Sequence, residues 1–216
     1  MKRFVRSAWI GLICAGAALA APITVHNTGV NSLDVVQPIG SATAFWTLAS
    51  QPAGAGYALG STPFRYFNGA YYADNAASGW VSPSVTGSAG AAGTYVYQLT
   101  IDLTGLDPST AVISGTFGTD NDGAIWLNGN APAATTGFAS FGGPTGFTIS
   151  SGFVAGLNTI SVQTNNGGDP TAFRVEFSRA EAQLPNSAIP EPSSLALFTG
   201  GAVVLMAGRL RRAARG

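Results

Sequence analysis

Residues 94–103 read Thr-Tyr-Val-Tyr-Gln-Leu-Thr-Ile-Asp-Leu, and this alternation constrains the fold more than any other stretch. Tyr95, Tyr97, Leu99, Ile101 and Leu103 share one face, and Gln98, Thr100 and Asp102 the other. Successive side chains of an extended chain point to opposite faces, so the pattern predicts an antiparallel strand with one side buried. Further strands are expected at 111–119, 124–127, 147–150, 158–164 and 172–178. In the last of these Phe173, Val175 and Phe177 are expected inward, with Arg174 and Glu176 outward. Turns are expected at Gly105-Leu106-Asp107-Pro108-Ser109, at 119–123, at Asn128-Gly129-Asn130 and at 165–170. Before residue 90 the pattern is weaker, with short strands expected near 23–28, 33–36, 45–48, 65–67 and 80–82. Between residues 21 and 185 no window of helical length carries apolar residues at helical spacing. Many short strands between polar turns predict an all-β fold, an antiparallel β-sandwich of the jelly-roll kind.

The two ends of the chain obey a different logic. Lys2, Arg3 and Arg6 precede an apolar run at 8–20 that closes on Ala18-Leu19-Ala20. This predicts a signal peptide over residues 1–20, a helical segment cut after Ala20, because the run is shorter than a membrane span needs. Cys14, the one cysteine, lies inside it with bulky Ile13 before it, which argues against lipidation. The mature chain then has no thiol and folds by burial alone. At the other end an apolar run at 195–208 follows Pro190-Glu191-Pro192 and precedes Arg209, Arg211, Arg212 and Arg215. Terminal position, absent amphipathicity and the adjoining arginines predict a single short transmembrane helix with the arginines cytoplasmic. Three segments result: signal peptide 1–20, β-sandwich domain 21–185 and tail 186–216.

Charge is partitioned with the segments. Seven of the ten basic residues sit in the terminal pieces. Residues 21–185 keep Arg65, Arg174 and Arg179 against nine acidic residues, a net charge of −6. Such a domain is repelled by phosphate backbones, so nucleic acid is excluded as a partner.

The ordered set of Pro190, Glu191 and Pro192, a short apolar helix and an Arg-rich end resembles the PEP-CTERM sorting signal of Gram-negative bacteria. That resemblance implies export, handling by signal peptidase and an exosortase-type membrane protease, and a host making exopolysaccharide or biofilm. It also implies an inner-membrane intermediate followed by the cell surface or extracellular matrix. Pro190, Glu191 and Pro192 would be the recognised residues. The domain also resembles the galactose-binding-like jelly-roll superfamily. Residues 119–129 (Thr-Asp-Asn-Asp-Gly-Ala-Ile-Trp-Leu-Asn-Gly), 156–162 and 172–177 carry the likeness. It implies a carbohydrate-binding or adhesive module more often than a catalyst.

The residue inventory agrees that the chain is not an enzyme. The one histidine, His26, stands near the mature N-terminus, and there is no Gly-x-Ser-x-Gly elbow, His-Glu-x-x-His motif or Walker loop. The alternative is a secreted carbohydrate-active enzyme using two of the nine carboxylates. Asp120, Asn121 and Asp122 place three oxygen donors in one turn, which suits calcium, with Asp169 as a further ligand if folding joins the loops. The same residues suit a turn held by side-chain-to-backbone hydrogen bonds. Tyr71, Tyr72, Trp80 and Trp126 are the candidate carbohydrate platform, since flat rings offer apolar area with a polar edge. Core packing competes for each, and the Tyr71-Tyr72 pair is the better surface candidate.

Overall fold

A computed structural model describes residues 19–88 and 90–185. The expected signal peptide before Leu19, Pro190-Glu191-Pro192, the apolar run and the arginine tail lie outside the described residues. The described chain is all-β, with two antiparallel sheets and one short 3-10 turn at Ser140–Gly142.

The strands are β1 Ala20–Pro22, β2 Thr47–Ser50, β3 Phe64–Arg65, β4 Val81–Ser82, β5 Gly93–Asp102 and β6 Asp107–Asp120. They continue as β7 Asp122–Leu127, β8 Ala134–Thr136, β9 Thr145–Ile149, β10 Leu157–Asn166 and β11 Ala172–Gln183. The first sheet has the order β3-β4-β11-β6-β9, with β1 also paired to β11. The second has the order β2-β5-β10-β7-β8. From β5 to β11 the chain changes sheet at every connection except β7 to β8.

The strongest sequence pattern is the most regular element. Tyr95, Tyr97, Leu99 and Ile101 of β5 are buried, and ten consecutive residues pair with β10. Ile160 and Val162 of β10 and Ile125 and Leu127 of β7 extend that inner face. Ile113, Phe117, Phe173, Val175, Phe147 and Ile149 supply the facing layer. The layers interlock through aromatic rings: Tyr97 stacks on Phe173 at 4.2 Å, and Trp46 meets the Phe173 edge at 5.5 Å. Each such side chain contributes roughly 1.5–3 kcal/mol by leaving water.

Several expectations give way to tertiary structure. The turn expected at 105–109 is shorter, because β6 already begins at Asp107. The five-residue turn expected at 119–123 collapses to Asn121, a corner at which the chain leaves one sheet for the other. Residues 23–28 and 33–36 form no strand; Val30 and Val36 make a single bridge. The pattern also gave no sign of β8, whose three residues pair with β7 at the sheet edge.

Arg174 and Glu176, expected outward, do leave the core on the outer face of β11, yet Arg174 is only 3% exposed. Residues 66–80 lie over that face as a further layer. Tyr71, Trp80 and Ala172 form a second apolar cluster, with Tyr66, Phe67, Tyr72 and Phe141 packed on it. A Cβ added to Gly118 of β6 would meet Tyr72 and Trp80 at 2.8 and 2.9 Å, which shows how closely this layer sits. Beneath it the Arg174 guanidinium bonds Ser78 Oγ, the Ala73 carbonyl and Glu176 Oε2, and stands 4.9 Å from the Tyr72 ring. Burial opposes ionisation of Glu176, but bonds from Ser78 and Asn75 and the Arg174 charge outweigh it and lower its pKa.

Candidate functional site

At the β6–β7 corner the chain must reverse sheets without leaving polar backbone unpaired. The Asp120 carbonyl accepts from Thr164 Oγ1 at 2.9 Å and Thr171 Oγ1 at 3.1 Å. Ser140 Oγ donates to the Thr119 carbonyl at 2.8 Å, tying the β8–β9 connection to the same corner. Asn121 Oδ1 accepts from the Gly167 amide at 2.8 Å, tying in the β10–β11 loop. Three connections therefore converge on one end of the sandwich.

Between them lies a pocket of about 260 Å³ lined by Asp120, Asn121, Phe138, Gly167, Gly168, Asp169 and Pro170. Phe138 is 68% exposed, a large apolar ring left in solvent at the rim. Asp120 is 4% exposed; its carboxylate accepts from the Tyr71 hydroxyl at 2.7 Å and from Asn121 Nδ2 at 2.8 Å. Burial raises the Asp120 pKa above the usual aspartate value, and the Tyr71 bond only partly offsets this. Asp169 is exposed, and its Oδ2 accepts from Ser88 Oγ at 2.9 Å. The pocket thus offers an apolar ring, oxygen acceptors and bare glycine backbone, all on preorganised loops.

The expected site residues are redistributed around this pocket. Asp120, Asn121 and Asp169 line it, so folding does join the two loops. Asp122 does not: it begins β7, and its Oδ2 accepts from Asn165 Nδ2 at 2.6 Å across the second sheet. The corner at Asn121, where the chain leaves one sheet for the other, sends Asp122 away from Asp120 and Asn121. Among the described residues no group of three or more His, Cys, Asp or Glu is placed to hold a metal ion.

The aromatic candidates also separate. Trp80 is fully buried and Tyr71 is 5% exposed, their rings 4.4 Å apart. The alternation argument that put one of Tyr71 and Tyr72 outside applies to strands, and both sit in irregular chain closing over Trp80. Tyr71 is instead a positioning residue, holding Asp120 from behind. Trp126 lies on the outer face of the second sheet, half-buried opposite Ser161. Phe138 was missed by sequence reasoning. Its signal is a ring in the small-residue stretch Gly137-Phe138-Ala139-Ser140, where no alternating partner gives it a core to enter.

Tyr71→Phe is expected to cost about 1.5–3 kcal/mol at neutral pH, the range for a hydrogen bond to a charged group. The sign with pH follows from Asp120. Its folded-state pKa is raised, so its ionised form is the costly one and is relieved by acid. The Tyr71 hydroxyl favours the ionised form, so the loss should shrink as pH falls through the Asp120 titration. Glu176 titrates in both proteins and cancels in the difference. Urea denaturation of both proteins at neutral and acidic pH checks this; a loss that grows on acidification rules it out.

No protein-family model matches the sequence, and no curated protein does. The solved structure of CBM35 from Paenibacillus barcinonensis is similar to this chain. The two share 16% identity over 63% of this chain and 94% of that one, with a TM-score of 0.33. So distant a likeness assigns this chain neither a ligand nor a site.

Proposed function

We propose that this chain is an exported, non-enzymatic carbohydrate-binding protein of the galactose-binding-like jelly-roll kind. The observation that carries the reading is the loop-end pocket, in which the exposed Phe138 ring stands beside oxygen acceptors on rigid loops. Sugars present apolar C–H faces and a rim of hydroxyls, the chemistry such a pocket complements. Export and anchoring follow from the two terminal segments. The Pro190-Glu191-Pro192 tail supports sorting by an exosortase-type system to the cell surface or matrix, with exopolysaccharide as the partner.

The second reading, a glycoside hydrolase, draws on the raised Asp120 pKa with Asp169 in the same pocket. Binding is the better fit, because the Asp120 carboxylate is buried against Tyr71 and Asn121 and has little surface to meet a substrate. A glycan array run beside a hydrolysis screen separates the two. Binding without turnover is expected; turnover abolished by both Asp120→Asn and Asp169→Asn establishes the hydrolase instead. Intact mass and fractionation of the native protein report the signal-peptide cut and the fate of the tail. Retention of both segments in the mature protein overturns the sorting route.

A further inference from the structure

We infer that the loop-end pocket selects amine-bearing sugars over neutral ones and rejects uronates. This rests on the carbohydrate reading and adds the ligand's charge class to it.

The pocket has acceptors in excess of donors. Asp120 and Asp169 line it, with no Lys, Arg or His among the lining residues. Its glycine amides are already committed: Gly167 N–H donates to Asn121 Oδ1 and Gly168 N–H to Asn166 Oδ1. One Asn121 Nδ2 hydrogen goes to Asp120. A ligand here must therefore bring donors, which hydroxyls and ammonium groups do and a carboxylate does not. Among the described residues no cation lines the pocket to compensate an anion. The three arginines of residues 21–185 are spent elsewhere: Arg65 and Arg174 are buried in bonded networks, and Arg179 pairs with Glu181. The domain's charge of −6 adds a field of the same sign around the pocket. Asp169 is the exposed charge, placed where an amine on a sugar seated against Phe138 meets it.

The test is calorimetric titration of the purified chain with three short oligomers. These are deacetylated glucosamine, N-acetylglucosamine and galacturonate, at a pH where the amines are protonated. The glucosamine oligomer should bind about fivefold more tightly than the acetylated one, the scale of one exposed charge pair, with galacturonate weakest. Rising salt should weaken the glucosamine oligomer and leave the acetylated one in place. Asp169→Asn should reduce the ratio between those two affinities. The salt series on the unmodified chain gives the same answer should that variant fold poorly. Galacturonate bound as tightly as the acetylated oligomer, or equal affinity for the two glucosamine forms, overturns the charge inference while sugar binding stands. Binding of none of the three, with none on the glycan array, overturns the carbohydrate reading and this inference with it.

Discussion

Replacing Arg65 by methionine should destabilise the domain by about 3 kcal/mol, the lower end of the range for orphaning the partner of a buried ion pair. Arg65 is 4% exposed. Its guanidinium donates to Asp74 Oδ2 at 2.9 Å, to the Trp80 carbonyl at 2.7 Å and to the Gln37 carbonyl at 3.1 Å. These partners come from two separate stretches of the N-terminal half, around Gln37 and within residues 66–80, where regular strands are short. Asp74 Oδ1 in turn accepts from the Trp80 amide at 2.9 Å, so one side chain indirectly fixes the layer that covers β6 and β11. The slot is made by glycines: a Cβ at Gly79 would lie 2.3 Å from the Arg65 guanidinium carbon. Methionine matches the aliphatic stem but takes the guanidinium donors from Asp74 Oδ2 and the Gln37 carbonyl, and leaves the Trp80 carbonyl with the Tyr66 amide alone. For a domain of this size the loss corresponds to a fall in Tm of about 6–12 °C. Lysine should rescue little, since a single ammonium cannot span a planar fork. Arg179→Met is the control. Its pair with Glu181 is solvent-exposed, and surface pairs contribute about 1 kcal/mol or less. Thermal and urea melts decide the matter: equal stability of the Arg65 and Arg179 variants would show that the buried guanidinium organises nothing.

The same arginine marks where the sequence stops being legible. From β5 onward the long strands were readable because each sets apolar residues on the core face and polar or small ones on the other, and that asymmetry is written as alternation. Tyr95, Tyr97, Leu99 and Ile101 all face the core as that pattern demands. The N-terminal half has no such asymmetry. Residues 66–80 lie flat over an outer sheet face, so their contacts depend on long-range neighbours such as Gly118 and Arg174. Arg174 reads as solvated in its own strand, and only the covering layer makes it buried. The candidate site was half legible for a related reason. Asp120, Asn121 and Asp169 were singled out as turn residues with donor oxygens, and folding gathers them. Asp122 belongs to the next strand and turns away. Tyr71 carries polar chemistry, but that chemistry is used internally on Asp120. Phe138 escaped notice because the β8–β9 connection has no period to show which of its two rings, Phe138 or Phe141, packs inward.

Phe138→Ala is expected to weaken glycan binding about tenfold or more, as loss of an aromatic anchor does. It should leave the melting temperature where it was. Both halves follow from the ring's position. At 68% exposure it contributes little to the core, so truncation forfeits little packing. Among the described residues that line the pocket it is the one aromatic side chain, and Gly167, Gly168 and Pro170 offer no flat surface to replace it. Phe138→Tyr should retain most of the affinity, since the ring face survives and the added hydroxyl meets solvent. Trp126→Ala provides the competing location. Its ring lies on the outer face of the second sheet, two strands from Gln98 through Ser161. That face sets polar Ser161 and Gln98 in line with Trp126 and suits a chain lying along it, whereas the loop-end pocket suits a single residue or a chain end. Titration of the three variants against one glycan from the array identifies the surface in use. Loss on Trp126→Ala with Phe138→Ala unaffected would move the site to the sheet face. There Asp169 no longer touches the ligand, and its charge no longer sets the preference among sugars.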